Sequence, residues 1–70
     1  MTPLELARVQ KYMREAFDNS RITLKKQKMD DSAEVYIADE FVGVIYRDDE
    51  EGELSYAFNM AILSEDLPEV

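Results

Sequence analysis

The sequence predicts an α+β fold in which one N-terminal helix packs on a four-stranded antiparallel meander sheet. The first eighteen residues show helical periodicity, and four later runs rich in β-forming residues are separated by polar or acidic turns. Joining consecutive runs by short hairpins also places one apolar row from each run on a single face. We therefore expect one domain over residues 1–70. Its helix is predicted at about 3–18 and its strands at about 21–28, 33–38, 41–47 and 54–62.

The helix begins with a capping signal at Thr2, Pro3 and Glu5. Threonine caps free backbone N–H groups, proline is tolerated at the first helical position, and a glutamate three residues after the cap completes a capping box. The helix is expected to end near Asn19, which can take the left-handed conformation. At about 100° per residue one apolar stripe faces the sheet, and it consists of Leu6, Val9, Met13, Ala16 and Phe17.

Four strands are predicted to follow, and the third, 41–47, carries the strongest β signal. A two-residue turn at 39–40 sets Val35 opposite Val44. The end of the fourth strand is open: strand to about residue 62 is preferred, but a short helix over 60–67 also fits. The face under the helix is assigned Ile22, Leu24, Val35, Ile37, Val42, Val44, Tyr46, Leu54, Tyr56 and Phe58.

Length and composition limit the functions available. A chain of 70 residues buries only about 60% of the surface that its unfolded form exposes, so its stability is expected to be modest. There is no cysteine, which excludes disulfides and suits a reducing compartment. The first residues do not resemble a signal peptide, and no apolar run approaches the roughly 20 residues of a membrane span. We expect a soluble, cytoplasmic protein that does not bind membranes.

The net charge of −8 is unevenly distributed. Residues 1–29 carry seven basic and three acidic side chains, whereas residues 30–70 carry one basic and thirteen acidic side chains. A net-acidic domain repels phosphate backbones, so nucleic-acid binding is not expected. The basic residues of the first strand lack interleaved aromatic residues for base stacking, and lysines on an edge strand more often discourage sheet-to-sheet pairing.

Catalysis is not expected, because the chain lacks histidine and cysteine, the commonest general base and the strongest nucleophile. No Gly-rich phosphate loop is present, and no cofactor is predicted. The acidic loop 48–53 clusters carboxylates, but its spacing is not that of an EF-hand, so no specific metal site is predicted there. Weak binding of a small ligand or a divalent metal, on the open sheet face or this loop, is the alternative function.

The sheet face turned away from the helix is the predicted interaction face. Scattered apolar residues are normal on any surface, which is the simpler interpretation of this face. A contact patch for another protein or for a second copy is the functional interpretation. The residues assigned to it are Tyr36, Phe41, Ile45, Ala57 and Asn59.

The fourth strand is predicted to mediate a homodimer. In the order 1-2-3-4 it is an edge, and residues 54–62 contain no proline and one uninterrupted uncharged run. Such an edge is a template for a further strand. Either residues 64–70 fold back over it or a second copy pairs with it about a two-fold axis, and we favour the second copy because 64–70 is short and acidic. The predicted function is a small non-enzymatic interaction module that self-associates.

Three stretches carry a resemblance to a known family: 2–10 (TPLELARVQ), 32–36 (SAEVY) and 51–56 (EGELSY). Together they resemble a family of short bacterial proteins catalogued only as a domain of unknown function. The resemblance spans nearly the whole chain and implies a small, single-domain bacterial protein. It implies no activity, cofactor or catalytic residue.

Overall fold

The computed structural model describes residues 1–29, 31–50 and 52–70. Its helix α1 spans Pro3–Ala16, and the strands β1 (Ile22–Lys26), β2 (Ser32–Ile37), β3 (Glu40–Asp48) and β4 (Ser55–Asn59) follow. Neighbouring strands in the sheet are also consecutive in the chain, and every pairing is antiparallel. The predicted α+β fold, a helix and a meander sheet in the order 1-2-3-4, is therefore confirmed.

Helix α1 begins where the capping signal predicts. The Thr2 hydroxyl oxygen accepts a hydrogen bond from the Glu5 N–H, and the Glu5 carboxylate accepts one from the Thr2 N–H, each 3.1 Å long. At the other end Asp18, rather than the predicted Asn19, has a left-handed φ of 49°. The N–H groups of these two residues bond back into the last turn as a Schellman motif, so the helix stops two residues before its predicted end.

Strand β4 is shorter than predicted, because it ends at Asn59 and not near residue 62. The chain then leaves the sheet. A 3-10 turn forms at Ser64–Asp66, so the helical alternative for 60–67 is present only as this single short turn. Residues 60–70 are all exposed, and we call them the 60–70 segment.

The turn between β2 and β3 lies one residue earlier than predicted. Ala38 and Asp39 form it, with φ angles of 52° and 68°, and Ile37 pairs with Glu40. Positive φ at both central residues is the type I′ geometry, which matches the twist of the flanking strands. The predicted turn at 39–40 was wrong because alanine carries no turn signal, although it adopts the left-handed conformation here.

A β-bulge in β3 then shifts the register once more. Tyr36 pairs with Phe41, but the preceding residue, Val35, pairs with Gly43. Val42 is therefore an extra residue on β3, and it packs against the core. The alternation of β3 changes phase at this position.

The predicted faces of β3 are consequently correct as far as Val42 and wrong beyond it. Ile45, predicted on the open face, is only 3% exposed and lies in the core. Val44 and Tyr46, predicted in the core, alternate with Ile45 and lie on the opposite face, where Tyr46 is exposed. Because the run 41–47 is apolar on both sides, alternation alone did not reveal the extra residue.

The core lies between α1 and the inner faces of the first three strands. Ile22 and Val35 are each 1% exposed, and burying a side chain of this size contributes about 1.5–3 kcal/mol. Phe17, predicted in the helix stripe, is 61% exposed because the helix ends at its position. The other buried hydrophobic residues are Met1, Met13, Leu24, Ala33 and Ile45, and Leu6, Val9, Ile37, Val42, Tyr56 and Phe58 are half-buried around them.

Strand β4 approaches β3 closely at Gly43. A Cβ atom at this position would meet the carbonyl oxygen of Asn59 and would come within 2.8 Å of Cε1 of Phe58. Gly43 is thus required for the approach of the β4 backbone and for the position of the Phe58 ring. Gly52, in the loop that leads to β4, has the predicted positive φ, 77°.

Candidate interaction surfaces

The sheet face opposite α1, on which an interaction was predicted, has a changed membership. Tyr36 and Phe41 contact each other there, with ring centroids 5.8 Å apart and planes at 73°. Ala57 and Asn59 are exposed on the same face of β4, where Ala57 pairs with Tyr46. Ile45 does not belong to this face, and the outer-face positions beside it are occupied by Val44 and Tyr46.

The polar neighbours of Tyr36 are on the sheet itself. The Lys25 ammonium lies 4.6 Å from the ring centroid, and the tyrosine hydroxyl donates a 3.3 Å hydrogen bond to the Glu34 carboxylate. Partial burial, followed by the charge and hydrogen bond of Glu34, raises the pKa of Tyr36 above its usual value. The aromatic part of this face is therefore tied into cross-strand contacts that stabilise the sheet.

The β1 edge of the sheet is covered by side chains of α1. Gln10 accepts a 2.9 Å hydrogen bond from the Leu24 N–H through Oε1, and Arg14 donates a 2.7 Å bond from Nε to the Ile22 carbonyl oxygen. Because alternate residues of an edge strand direct their N–H and C=O groups outward, these two bonds reach the outward groups of β1. The helix therefore satisfies backbone groups that would otherwise be open to another strand.

The β4 edge has no such cover within the described residues. The Arg47 N–H bonds to the Asp31 carbonyl oxygen on the β2 side, so the residues that alternate with Arg47 direct their backbone groups toward β4. Their partners on β4 are Ser55, Ala57 and Asn59, whose backbone groups therefore point toward β3. Alternation then directs the backbone groups of Tyr56 and Phe58 away from the sheet. In the part of the chain that the structure describes, no hydrogen bond reaches these groups.

An apolar groove runs between α1 and the inner face of β3 and β4. It exists because α1 lies nearest β1 and leaves the β4 side of the inner face uncovered. Its volume is about 510 Å³, within the range of about 300–1,000 Å³ typical of ligand sites. Its apolar lining consists of Val9, Tyr12, Met13, Phe17, Ile45, Leu54, Tyr56 and Phe58, and its polar lining consists of Glu5 and Arg8.

A cluster of polar side chains lies at one end of this groove. The Glu5 carboxylate accepts hydrogen bonds from the Tyr56 hydroxyl (2.8 Å) and from Arg47 Nε (2.9 Å). Arg47 also donates from its terminal guanidinium nitrogen to Asp49, at 2.9 Å. This cluster connects the first turn of α1 to both β3 and β4.

The cluster keeps Glu5 ionised. The hydrogen bond from the Thr2 N–H, followed by those from Tyr56 and Arg47, lowers the pKa of Glu5 from 4.5 to about 2, although partial burial opposes the shift. The bond to Glu5, with partial burial and the negative charge of Glu5, raises the pKa of Tyr56. Every shifted group here is held by a partner that stabilises the fold, which is not the arrangement of a free general base.

The acidic loop 48–53 uses part of its charge internally. Asp48 accepts a 3.0 Å bond from the Glu50 N–H, and Asp49 pairs with Arg47. Glu51 lies outside the described residues. Among the residues that are described, no three metal-ligating side chains lie together.

Sequence reasoning missed the residues that distinguish the two edges. The sequence analysis gave Gln10 and Arg14 no role, although their spacing of four residues was a signal that they share a face and can reach one strand. Glu5 was assigned only to the capping box. Its second role required Arg47 to face inward, and that follows only when the bulge in β3 is known.

Comparison with known proteins identifies a family. A family model described as "Protein of unknown function (DUF3126)" matches residues 5–66. No curated protein and no solved structure matches the chain. None of the helices in the described part of the chain is long and apolar enough to cross a membrane.

Proposed function

The chain belongs to the DUF3126 family of proteins of unknown function, and we propose that it is a non-enzymatic interaction module that self-associates through β4. The observation that carries this proposal is the difference between the two edges of the sheet. Gln10 and Arg14 cover the β1 edge, whereas the outward backbone groups of β4 have no partner among the described residues. An open edge of this kind accepts a further strand.

A two-fold axis that passes beside Ala57 gives a complete register for this pairing. Tyr56 of each copy then lies opposite Phe58 of the other, and both have outward N–H and C=O groups, so these two pairs exchange four main-chain hydrogen bonds. Ala57 lies opposite Ala57 of the second copy in the pair without hydrogen bonds, where Cα atoms are only about 4.5 Å apart. The sheet becomes eight-stranded, and both helices lie on the same face.

A non-catalytic role is supported by the chemistry of the side chains. The chain lacks histidine and cysteine, and the pKa of its most perturbed carboxyl, Glu5, is lowered by bonds that hold it in place. We propose that the protein acts in the cytoplasm, because a cysteine-free chain suits a reducing compartment. Specificity for its partner then depends on the shape and charge of its surfaces.

Light scattering of the purified protein at micromolar concentration tests the proposal. We expect a species of twice the 8.1 kDa mass of one chain. Ala57→Lys and Ala57→Glu should each give monomers, because like charges directly opposite each other destabilise a strand pair. An equimolar mixture of the two variants should restore the dimer, since lysine then lies opposite glutamate.

Ser55→Lys is the matched control. It adds the same charge to the same face of β4, but in the proposed register residue 55 lies opposite Asn59 of the second copy, so the dimer should persist. A wild-type monomer that survives concentration would refute the proposal. So would a dimer that is insensitive to both Ala57 variants.

The outer face is the second candidate, because Tyr46 and Phe41 are exposed there beside Tyr36. If this face mediates association, Tyr46→Lys should dissociate the dimer and the Ala57 mixture should show no charge rescue. A small apolar ligand is the other alternative, and its site would be the groove, not the open face or the acidic loop, because the groove is the concave apolar surface. Ligand binding would appear as stabilisation of the monomer.

A further inference from the structure

Two apolar surfaces of this chain lack a partner in a single copy. One is the groove between α1 and β4, in which Tyr12 and Phe17 are 71% and 61% exposed. The other is the 60–70 segment, which is exposed along its whole length. Its exposed apolar residues are Met60, Ile62, Leu63, Leu67 and Val70.

We propose that the 60–70 segment of one copy lies in the groove of the second copy, so that the dimer exchanges its segments reciprocally. This inference rests on the proposed pairing of β4 with β4. It adds an occupant for the groove and gives the exposed segment a function.

The position of the groove in the proposed dimer supports the exchange. Gln10 bonds to Leu24 and Arg14 to Ile22, so α1 runs antiparallel to β1, and its first turn lies at the end of the sheet where β4 begins. In an antiparallel β4 pair, the end of one strand lies beside the beginning of the other. The segment that follows Asn59 therefore starts next to the end of the second copy's groove that Leu54, Tyr56 and Arg8 line.

Charge is complementary between the two surfaces. The segment carries Glu65, Asp66 and Glu69 and no basic residue, whereas residues 1–29 have an excess of basic side chains. Glu5 at the mouth of the groove already pairs with Arg47, and among the described residues no carboxylate pairs with Arg8. Arg8 is thus available to an acidic segment, while the leucines of the segment match the apolar lining.

The size of the interface also favours the exchange. β4 is five residues long, so strand pairing alone joins two short edges. Stable interfaces bury about 1,200–2,000 Å² in total. Two segments of eleven residues, each laid along an apolar groove, supply apolar contact that the edge alone does not.

Disulfide cross-linking between two engineered cysteines tests this arrangement. Because the chain has no native cysteine, only the engineered thiols can form the cross-link. Tyr12→Cys places a thiol on the groove wall, and Leu67→Cys places one on the segment. When the two single variants are mixed and oxidised, we expect a covalent heterodimer. Binding raises the effective concentration of the thiols from micromolar toward millimolar, so cross-linking should be about tenfold or more faster than with a control outside the groove.

Leu4→Cys is that control, because Leu4 is on the same helix, does not line the groove and is 68% exposed, close to the 71% of Tyr12. Equal rates for Tyr12→Cys and Leu4→Cys would overturn the exchange. The double variant Tyr12→Cys with Leu67→Cys should close as a covalent dimer under oxidation. A cross-linked single chain would instead show that the segment covers its own groove.

The two proposals fail in different ways. If the Ala57 charge mixture behaves as expected but no preferential cross-link forms, β4 pairing stands and the exchange is wrong. If the preferential cross-link persists in the Ala57→Lys background, the exchange stands without strand pairing and the β4 interface is wrong. Circular dichroism of each variant ensures that the comparison is made between folded proteins.

Discussion

The two edge strands of the sheet have similar lengths but different surroundings. β1 lies under α1, its outward backbone groups bond to Gln10 and Arg14, and two of its residues, Ile22 and Leu24, are in the core. β4 is not covered by the helix, and its inward residues Tyr56 and Phe58 are only half-buried. One helix is too narrow to cover four strands spaced about 4.8 Å apart, so its placement over one edge leaves the other open.

One edge is therefore closed within the chain, whereas the other is open among the described residues. The β1 edge is protected from pairing with another strand by its lysines, as the sequence indicated, and also by the side chains of the helix. Among the described residues, the hydrogen bond from the Tyr56 hydroxyl to Glu5 is the only polar contact between β4 and the helix. The following experiments test whether the two sides differ in stability, packing, backbone protection and response to acid.

The largest expected difference is in the packing of the two sides. Ile22→Ala should lower the free energy of unfolding by about 2–5 kcal/mol, because it leaves a cavity in the part of the core that is closed. Phe58→Ala should lower the free energy of unfolding by less, although it removes more atoms, because the Phe58 ring is only half-buried and lines the open groove. Urea unfolding of both variants, at concentrations where the protein is monomeric, measures the contrast. Equal or larger loss for Phe58→Ala would show that the β4 side is part of the closed core.

The junction of β3 and β4 should be sensitive to a single added methyl group. Gly43→Ala is expected to lower the free energy of unfolding by about 1–3 kcal/mol, because the new Cβ meets the backbone carbonyl of Asn59, which a rotamer change cannot move. Urea unfolding again gives the measurement. Gly52→Ala is the control: the added Cβ would meet no atom of the described residues within 4 Å, so the substitution strains only a positive φ, at a cost of about 1 kcal/mol. A Gly43→Ala protein as stable as wild type would mean that β4 is loosely attached.

The sequence predicted the architecture because several independent signals agreed. The capping box fixed the start of α1, and turn residues separated four strands whose order is that of the chain. The prediction of which face each β3 residue occupies failed beyond one position, Val42. Its run 41–47 carries apolar side chains on both faces, so an extra residue leaves no visible break in the apolar pattern. Ile45 was therefore assigned to the interaction face, although it is buried.

The candidate surfaces were predictable to different degrees. The open edge of β4 followed from strand order and from the uncharged run after residue 54, and the structure retains that edge in a shorter strand. The groove could not be foreseen, because it depends on how far α1 is displaced toward β1, and side-chain periodicity gives the face of a helix but not its position over a sheet. The Glu5–Arg47 contact joins residues 42 positions apart, a separation at which local patterns carry no information.

A smaller effect is expected at the backbone groups of the two edges. In the monomer, hydrogen exchange followed by NMR should be slow at the Leu24 N–H and fast at the N–H groups of Tyr56 and Phe58. Gln10→Ala should accelerate exchange at Leu24 and lower stability by about 0.5–1.5 kcal/mol, the net contribution of one hydrogen bond. Lys11→Ala, at the next and exposed helix position, should leave Leu24 unchanged. Slow exchange at Tyr56 and Phe58 in a verified monomer would contradict an open β4 edge.

The smallest expected effect distinguishes the two sides by their response to acid. Glu5 anchors α1 to the β4 side, and its pKa is lowered from 4.5 to about 2 in the folded protein. A carboxylate whose pKa is depressed by folding stabilises the protein fully above its unfolded pKa, and this contribution is lost as pH falls from about 4.5 to about 2. The β1 side is anchored by Gln10 and Arg14, neither of which is a carboxylate.

Comparing Glu5→Gln with wild type isolates this contribution, because the other acidic residues are common to both proteins. The difference in unfolding free energy between them, measured by urea unfolding at a series of pH values, should be largest above pH 4.5 and should shrink toward pH 2. Glu15→Gln, which removes an exposed carboxylate from the same helix, should not reproduce this pH dependence. In the same acid range the Leu24 N–H should stay protected while the helix–β4 contact loosens, because the Glu5 carboxylate that makes this contact becomes protonated. Parallel pH curves for wild type and Glu5→Gln would show that Glu5 does not anchor the helix to β4, and the groove would then be held open by apolar packing alone.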